Sequence, residues 1–378
     1  MLPLAKLTAL RHTLHASPEV SGLEQQTAAL IEAYLRGLEP DSLVTGLGGH
    51  GILATFESGL EGPTLLFRSE LDALPIPEAN TFAHRSKRPG VSHKCGHDGH
   101  SAALCGLAEL LARGRPPRGR VHLLFQPAEE VGEGAKAVLA DPKFAPFRPD
   151  LAFALHNFPG FPAGSVVLRD RIITAAVVGL AVRLEGRTAH AAQPELGRNP
   201  AFAVAELLQY SQTLNRPDPT RPEFRLTTPV GVRVGSPAYG VAAGDGELNL
   251  TLRSWTDGGL EELAASLLLR ARQLAERDGL TLSHQTTEHF AANFNDPAAA
   301  AAARRAAVSC GLEVLELPVP LKGGEDFGLF TARFPCCLIL LGAGEATPPL
   351  HSPDYDFPDE LLEPAVRLMA QIVRETLG

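Results

Sequence analysis

The sequence predicts an α/β fold in which a central, mostly parallel sheet is buried under helices. Short apolar runs of about five residues recur in the first half of the chain and again near its end, with helical stretches between them. Runs that are apolar throughout are typical of strands buried on both faces of a sheet. The runs lie at residues 51–56, 64–67, 121–125, 151–155 and 338–341.

Helices are predicted before and between these runs. Residues 101–112 and 134–140 have helical character. Ser21 and Glu24 stand three residues apart ahead of a periodic apolar run, a spacing typical of a capping box. A helix is therefore expected to begin there.

A second domain is predicted in the middle of the chain, because 378 residues are more easily divided between two cores than packed around one. Two half-exposed strands and two long periodic helices alternate there, which favours an α+β open-faced sandwich. These elements lie at residues 180–184, 200–214, 247–252 and 259–277. The expected boundaries are 1–178 and 289–378 for the domain of the buried sheet and 179–288 for an inserted domain.

Composition argues against several classes of partner. The chain has 34 Lys and Arg against 43 Asp and Glu, a net charge of −9, and no basic tract, so nucleic acid is not an expected partner. The apolar stretch 172–182 is far shorter than the roughly 20 residues of a membrane span. Lys6 and Arg11 interrupt what would have to be a signal peptide, so a cytoplasmic location is expected.

The 5 cysteines do not form a disulfide pattern, because their number is odd and Cys336 and Cys337 are adjacent. Four of them lie among apolar residues, where a reduced thiol packs as a small hydrophobe. Cys95 differs, since it lies in the histidine-rich window HKCGHDGH together with His97.

Potential metal ligands follow the predicted strands, and in open α/β sheets ligands bind beyond the carboxyl ends of the strands. Adjacent side chains on an extended segment diverge, so one acid of the pair Glu129 and Glu130 can hold a metal while the other faces the substrate. Five candidate ligands suffice for two divalent cations with open positions, as in a catalytic site. They are Cys95, His97, Glu130, His156 and His351.

Simpler interpretations exist for each motif alone. Cysteine and histidine two apart occur in closed structural zinc sites, but these usually need four clustered ligands, and no second CxxC or HxxxH lies near. Each histidine alone could be a core or surface residue, and a Glu-Glu pair could be a solvated loop. A serine hydrolase is disfavoured because the chain has no GxSxG motif.

Taken in order, the motifs resemble a metallo-amidohydrolase family that contains hippurate hydrolase, N-acyl-amino-acid amidohydrolases and plant auxin-conjugate hydrolases, within the aminoacylase and carboxypeptidase superfamily. The matching segments extend over nearly the whole chain. They are RSELDALPIPE, HKCGHDGHSAAL, FQPAEEVGEGA, ALHNFPGFPAGSV, GRTAHAAQP, GGEDF and LHSPDYDF.

The resemblance implies a role for each matched residue. Cys95 would bridge two metal ions, and the other four candidate ligands would complete their coordination. Glu129 would be the general base. The domain of the buried sheet would be catalytic, and the inserted domain would be a lid and dimerisation domain. His190 would reach from it toward the substrate and stabilise the oxyanion. Asp72 and Asp326 would orient metal ligands.

Three positions depart from the family pattern. Glu70 stands where the family usually has Asp, and the longer acid is expected to perturb the groups around the ligands. Residues 240–243 read Gly-Val-Ala-Ala where Asn-Val-Ile-Pro is usual, so an amide expected near the substrate carboxylate is missing. Arg253 is expected to bind that carboxylate, the alternative being an exposed strand arginine. Asn199 stands at the start of a predicted helix where the family usually has Asp, and this change is expected to affect only the helix cap.

The predicted function is hydrolysis of the amide bond of an N-acyl or N-aroyl amino acid by a homodimer with two divalent ions. The mixed ligand set accepts manganese, zinc, cobalt or nickel. A dipeptidase or aminobenzoyl-glutamate-type hydrolase is the alternative within the enzyme class. A non-catalytic metal-binding homologue is a further alternative, but all five ligands and Glu129 are present.

Overall fold

The structure is a computed structural model, and it describes residues 2–378. None of the helices in this range is long and apolar enough to cross a membrane. Single 3₁₀ turns lie at Pro194–Leu196 and Asp359–Leu361. The α-helices are α1 (Leu4–Ala16), α2 (Gln25–Arg36), α3 (His97–Arg113), α4 (Gly134–Ala140), α5 (Ala201–Thr213), α6 (Asp257–Asp278), α7 (Pro297–Ser309), α8 (Gly328–Thr331) and α9 (Leu362–Leu377).

The strands fall where the apolar runs predict them, with further short strands between. Each predicted run lies inside a strand, here β2, β3, β4, β5 or β16. The strands are β1 (Ser42–Leu47), β2 (Gly51–Glu57), β3 (Thr64–Glu70), β4 (Arg120–Gln126), β5 (Leu151–Phe158), β6 (Val166–Leu168), β7 (Arg171–Thr174), β8 (Ala176–Glu185), β9 (Ala189–His190), β10 (Arg225–Val234), β11 (Val241–Ala242), β12 (Asp245–Ser254), β13 (Thr281–Phe290), β14 (Asn293–Asn295), β15 (Val314–Glu316) and β16 (Cys336–Gly342).

The chain divides into two compact units. The larger unit comprises the chain up to Ile173 together with Asn293–Pro318 and Glu325–Gly378. The smaller unit comprises Thr174–Ala292 and Val319–Gly324. The smaller unit is therefore an insertion, because the chain leaves the larger unit and later returns to it.

The larger unit is built on an eight-stranded sheet in the order β1-β2-β4-β3-β5-β16-β6-β15. Its centre, β4-β3-β5-β16, is parallel, whereas β2 and β6 run antiparallel to their central neighbours. The predicted fold class, a mostly parallel α/β sheet with an inserted α+β domain, is confirmed. The four parallel strands end at one edge of the sheet, and the segments that follow β3, β4 and β5 begin there.

Both faces of the central strands are buried. Leu65, Leu123 and Ile339 belong to a core cluster that also contains apolar residues of α1, α3, α7 and α9. Their neighbours Leu66 and Leu124 point to the opposite face, because strand side chains alternate, and they too are fully buried. The uniformly apolar runs follow from this burial on both faces.

The smaller unit contains an antiparallel four-stranded sheet in the order β10-β12-β8-β13. Helices α5 and α6 pack on one face, where Leu207, Leu263 and Leu250 form a core cluster with their neighbours. The alternate residues of β12, such as Arg253, are only half-buried. This one-sided burial produces the half-exposed strand pattern of the sequence.

The predicted capping box is wrong in its details. Helix α2 begins at Gln25, and the side chain of its N-cap residue, Glu24, does not cap it; the Glu19 carboxylate accepts the N–H of Thr27 in the first turn. The Glu24 carboxylate instead accepts hydrogen bonds from the backbone N–H groups of Gly22 and Ala128, both at 2.8 Å. Glu24 therefore connects the segment before α2 to a residue 104 positions away along the chain instead of completing a capping box.

His122 in β4 is a buried histidine outside the functional cluster described below. It is 3% exposed, and its Nδ1 lies 2.9 Å from Thr55 Oγ1. Burial lowers the pKa of His122 to about 4, and the charge of Arg120 acts in the same direction. An unfolded chain has a histidine pKa near 6.5, so only the unfolded state gains a proton between these values.

The contribution of neutral His122 to stability is therefore complete above pH 6.5 and is lost as the pH falls toward 4. In His122→Gln, which stays neutral, this loss should be absent. The free energy of unfolding of the parent should fall relative to that of the variant by about 3 kcal/mol between pH 7 and pH 4. Urea denaturation of both proteins across this range measures the difference, and a constant difference would contradict the prediction.

Candidate metal centre

Cys95 and His97 lie at the start of α3, separated by one glycine. Gly96 has a φ of +91°, and a Cβ atom at this position would overlap the side-chain amide of Asn157. Glycine is therefore required here both by the backbone conformation and by the available space. The turn leaves Cys95 7% exposed and His97 1% exposed.

His97 is oriented by Asp72, which follows β3. Its Nδ1 lies 2.9 Å from the Asp72 carbonyl oxygen and 3.3 Å from Asp72 Oδ1. A ring that donates from Nδ1 presents the lone pair of Nε2 on its other side. Within residues 2–378, the buried Nε2 of His97 has no hydrogen-bond partner. It is thus available as a metal ligand.

His156 lies near the end of β5 and faces Cys95. Its Nδ1 lies 2.8 Å from the carbonyl oxygen of Asn157, and its Nε2 lies 3.4 Å from Cys95 Sγ. A backbone acceptor again fixes one ring nitrogen. The other nitrogen and the thiol approach a common point.

The loop after β4 carries Glu129 and Glu130, and hydrogen bonds hold it on both sides of Glu129. Ala128 has a φ of +52°, and its N–H donates to Glu24 Oε1. The N–H of Glu130 donates to Asp72 Oδ2 at 3.0 Å. These two bonds hold a backbone conformation that non-glycine residues rarely adopt.

The side chains of Glu129 and Glu130 share one neighbour, His97, and differ in their other partners. Glu130 Oε1 lies 3.8 Å from His97 Nε2, and Glu130 Oε2 lies 3.7 Å from His351 Nε2. Glu129 Oε1 instead accepts a hydrogen bond from the N–H of Asp326 at 3.4 Å. Both carboxylates therefore approach His97 Nε2, Glu129 Oε2 at 3.9 Å, but Glu130 also reaches His351 whereas Glu129 reaches the segment of Asp326.

His351 enters from a loop with an unusual backbone. Its φ is +66°, and its N–H donates to the carbonyl oxygen of Lys94 at 2.7 Å. Because Lys94 precedes Cys95, this bond connects two of the candidate ligand segments directly. The His351 side chain is 51% exposed, so this part of the cluster is open to solvent.

In residues 2–378, five groups of potential ligand atoms lie within 4.8 Å of one another, and two of these groups share Cys95. Cys95, His97 and His156 form one set, and Cys95, Glu130 and His351 form the other. Cys95 is common to both sets, which is the position a bridging thiolate needs. The five residues that the sequence analysis names as ligands thus lie together in the larger unit.

The match to known proteins identifies the family. A sequence profile of Peptidase family M20/M25/M40 matches residues 66–375, which include all five residues of this cluster. The chain belongs to that family. The resemblance to metallo-amidohydrolases expected from the motifs is confirmed.

Individual M20 relatives agree with this assignment. The chain is 31% identical over 342 residues to an N-acetyl-L-cysteine deacetylase from Bacillus subtilis, covering 89% of this chain and 80% of that protein. It is 30% identical to an N-acetyldiaminopimelate deacetylase from Leuconostoc citreum, covering 95% and 93%. A dinuclear metal-binding M20 peptidase from Bacillus subtilis has the same fold, with a TM-score of 0.84 at 24% identity over 99% and 98% of the two chains. The chain is an amidohydrolase of this family.

The electrostatics of the M20 cluster fit a cation. Burial raises the pKa of Glu129 well above its ordinary value, and the negative charges of Glu325 and Glu130 add to the effect. Burial also raises the pKa of Glu130 to about 7 and strongly raises that of the Cys95 thiol. A divalent ion would offset these penalties, and thiolate, imidazole and carboxylate are all suitable donors.

The pKa of His97 also indicates that the charges around the cluster favour a cation. Burial alone would lower its pKa, but the hydrogen bond to Asp72 and the charges of nearby carboxylates raise it to about 10. Positive charge is therefore favoured at this point. Glu130 Oε1, like His97 Nε2, is buried without a hydrogen-bond partner in the described part of the chain.

Glu325 is a site residue that was not predicted from the sequence, although it lies in the GGEDF segment next to Asp326. Carboxylate oxygens of Glu129, Glu325 and Asp326 lie within 4.8 Å of one another. Arg68 Nη2 lies 3.0 Å from Glu325 Oε1 and 2.6 Å from Asp326 Oδ1, which partly neutralises this group. An acidic pair after two glycines was the available sequence signal.

Glu70, the departure from the family's Asp, is fully buried and well paired. One carboxylate oxygen contacts Arg68 Nη1, and the other lies 2.7 Å from His100 Nδ1. The longer side chain thus bridges a guanidinium and an imidazole beside the ligands. It leaves neither of its oxygens without a partner.

His190 and Arg253 lie in the smaller unit. His190 belongs to β9, which pairs with β11, and its Nδ1 accepts a hydrogen bond from the N–H of Ala192. In the neutral ring, Nε2 then carries the proton. Arg253 lies in β12, and its Nη1 donates to the carbonyl oxygen of Lys322 at 2.8 Å.

Metal removal should abolish amide hydrolysis and lower the melting temperature, because cations that bind only the folded state stabilise it. Manganese, zinc or cobalt should restore both properties. Activity, elemental analysis and calorimetry after exhaustive chelation measure these effects. Glu133→Gln, in the same loop as Glu130 but on the surface, should keep its metal. Full turnover by protein shown to lack metal would contradict the prediction.

Proposed function

We propose that this chain hydrolyses the amide bond of N-acyl or N-aroyl amino acids. The proposal rests above all on the sharing of Cys95 by two ligand sets beside the separate carboxylate of Glu129. The names of two relatives support the substrate class, since N-acetyl-L-cysteine and N-acetyldiaminopimelate are both N-acyl amino acids. The ligands of two divalent cations are assigned to Cys95, His97, Glu130, His156 and His351.

The cations would supply the electrophilic chemistry. When bound, two divalent ions polarise an amide carbonyl and lower the pKa of water from about 15.7 toward about 7. Manganese, zinc, cobalt and nickel are all compatible with the mixed donors.

Glu129 is assigned as the general base. Its side chain is buried and accepts the N–H of Asp326, which Glu130 does not. Its Oε2 lies 3.9 Å from His97 Nε2, and it is not part of the two ligand sets that share Cys95. As the water oxygen attacks the amide carbon, the Glu129 carboxylate takes the proton. The C–N bond then breaks, and the same proton passes to the departing amine nitrogen.

Substrate-binding roles are assigned to His190 and Arg253. The Nε2–H of neutral His190 is a hydrogen-bond donor suited to a developing oxyanion. The guanidinium of Arg253 has donors beyond the one that Lys322 occupies, and a guanidinium matches the geometry of a carboxylate. We assign it to the free carboxylate of the amino acid.

The homodimer stays a prediction. Its support is the concentration of exposed large apolar residues in the smaller unit, since such residues often mark protein interfaces. They are Leu196, Phe202, Val230, Val232, Tyr239, Val241 and Leu269.

The pair Glu129 and Glu130 allows a direct test of the mechanism. Glu129→Gln keeps the size of the side chain but cannot accept a proton, so kcat should fall by about 100- to 10,000-fold. Metal content and substrate Kd should stay near the parental values. Glu130→Gln should lose a metal ion together with activity.

Elemental analysis, substrate binding and turnover of both variants distinguish base from ligand. If Glu129→Gln empties the site and Glu130→Gln keeps both ions, the two roles are reversed. If neither change lowers turnover, the hydrolase site lies elsewhere.

Arg253→Ala should raise KM for N-acetyl and N-benzoyl amino acids but change it little for their amides and esters, which lack the carboxylate. Arg183→Ala is the matched control, since Arg183 pairs with Glu247 on the same face of the same sheet. Amine release across this substrate panel, extended to dipeptides and aminobenzoyl-glutamate, gives the comparison. If Arg253→Ala raises KM equally for the acids and for their amides, Arg253 does not bind the substrate carboxylate. If the parental enzyme prefers dipeptides or aminobenzoyl-glutamate, the alternative function of a dipeptidase or aminobenzoyl-glutamate-type hydrolase is favoured.

A further inference from the structure

A second polar cluster in the larger unit connects α1 to the segments that carry the candidate metal ligands. We call it the N-terminal clasp. It contains both cationic and acidic side chains, and Arg11, His15, Lys94 and Asp98 are fully or almost fully buried. Its members are Arg11, His15, Glu78, Lys94, Asp98, Asp356 and Asp359.

Arg11 joins two ligand segments with one guanidinium. Its Nη1 lies 3.3 Å from Asp98 Oδ2 and 2.8 Å from Asp356 Oδ1, and its Nε lies 2.6 Å from Asp359 Oδ1. Asp98 directly follows His97, and Asp356 lies five residues after His351. Arg11 therefore fixes the first turn of α3 against the loop that follows His351.

His15, one turn further along α1, makes a second connection. Its Nδ1 lies 2.8 Å from Asp98 Oδ2, and its Nε2 lies 2.9 Å from Glu78 Oε2. Glu78 in turn pairs with the ammonium group of Lys94. The ring of His15 thus links Glu78, which precedes Cys95 in the sequence, to Asp98, which follows it.

Lys94 completes the path to His351. Its carbonyl oxygen accepts the N–H of His351, and its Nζ donates to the carbonyl oxygen of Tyr355 at 2.7 Å. The Tyr355 hydroxyl contacts the side-chain amide of Asn157, the residue after His156. All three histidine ligand segments are thereby linked to the clasp.

The clasp differs from an ordinary contact between the same helices. Lys6 of α1 pairs with Glu109 of α3 at 2.5 Å, but the Lys6 side chain is 53% exposed. Glu109 lies 12 residues after His97, about 18 Å along the helix. Arg11 is instead fully buried, so loss of its partners would leave an uncompensated charge in a region of low dielectric constant.

We propose that Arg11 and His15 are positioning residues for the metal site. Acting through Asp98, Lys94 and Asp356, they hold the segments of Cys95, His97 and His351 at the separation that metal binding requires. The inference rests on the proposed ligand set. It adds a requirement for α1, which lies entirely before the part of the chain matched by the family profile.

The test compares Arg11→Gln and His15→Asn with Lys6→Met. Dissociation constants for manganese and cobalt are measured by competition with a chromogenic chelator, and the absorption spectrum of the cobalt-loaded protein reports thiolate and imidazole coordination. Arg11→Gln and His15→Asn should weaken metal binding by about tenfold or more, the usual effect of losing a group that orients a ligand. Lys6→Met should lower the melting temperature at unchanged metal affinity.

Turnover at saturating metal separates positioning from a role at the substrate. KM should stay near the parental value in both variants, because neither residue is assigned to the substrate. If both variants fold and bind metal with parental affinity, or if Lys6→Met weakens binding equally, the proposal is overturned.

A second, milder variant tests the clasp if Arg11→Gln fails to fold. In that case metal binding is measured for Asp359→Asn. This variant should fold, since Asp359 is 36% exposed and contributes only one ion pair to Arg11. Weaker metal binding by this variant supports the clasp, and parental affinity overturns it. A parental protein that binds no metal would instead overturn the proposed function, and the clasp with it.

Discussion

The crowding of acidic side chains at the carboxyl edge of the sheet is the interaction on which the rest of the structure depends. Six carboxyl groups meet there, and no more than 9% of any of the side chains is exposed. Arg68 is the guanidinium that pairs with three of them, and the others need positive charge from elsewhere. Cations at Cys95 and its neighbours would supply it, which couples metal binding to folding. The six are Glu70, Asp72, Glu129, Glu130, Glu325 and Asp326.

A crowded anionic site requires the backbone to be held from outside. Gly96, Ala128 and His351 all have positive φ, and two of them carry a side chain that disfavours this conformation. Glu24 holds Ala128, and the carbonyl oxygen of Lys94 holds His351. Unusual backbone conformations persist where the surroundings fix them and are concentrated at functional sites. The candidate ligands are thus placed by hydrogen bonds from residues outside the candidate ligand set.

Local patterns and distant contacts differ in what can be predicted from them. The strands could be predicted because burial on both faces leaves uniformly apolar runs, and the candidate ligands because they follow those runs in chemically distinctive motifs. Glu24 shows where this reasoning ends, since its spacing from Ser21 suits a cap but its carboxylate bonds to Ala128. Arg11 and Asp98 are separated by 87 residues, and no local sequence pattern around either residue predicts the other as its partner. Such pairs depend on how helices pack, which periodicity does not determine.

The departure at residues 240–243 shows why a changed motif need not change the geometry around it. The segment contributes through its main chain, because the Gly240 carbonyl oxygen accepts the N–H of Ala191 and Val241 pairs with His190. Main-chain pairing does not require an amide side chain, so the strand that carries His190 keeps its register without one. The lost side chain removes a possible hydrogen bond to substrate rather than the support of His190. In the proposed function, recognition of a carboxylate would then depend more strongly on a guanidinium such as that of Arg253, whose planar donors can bind both oxygens at once.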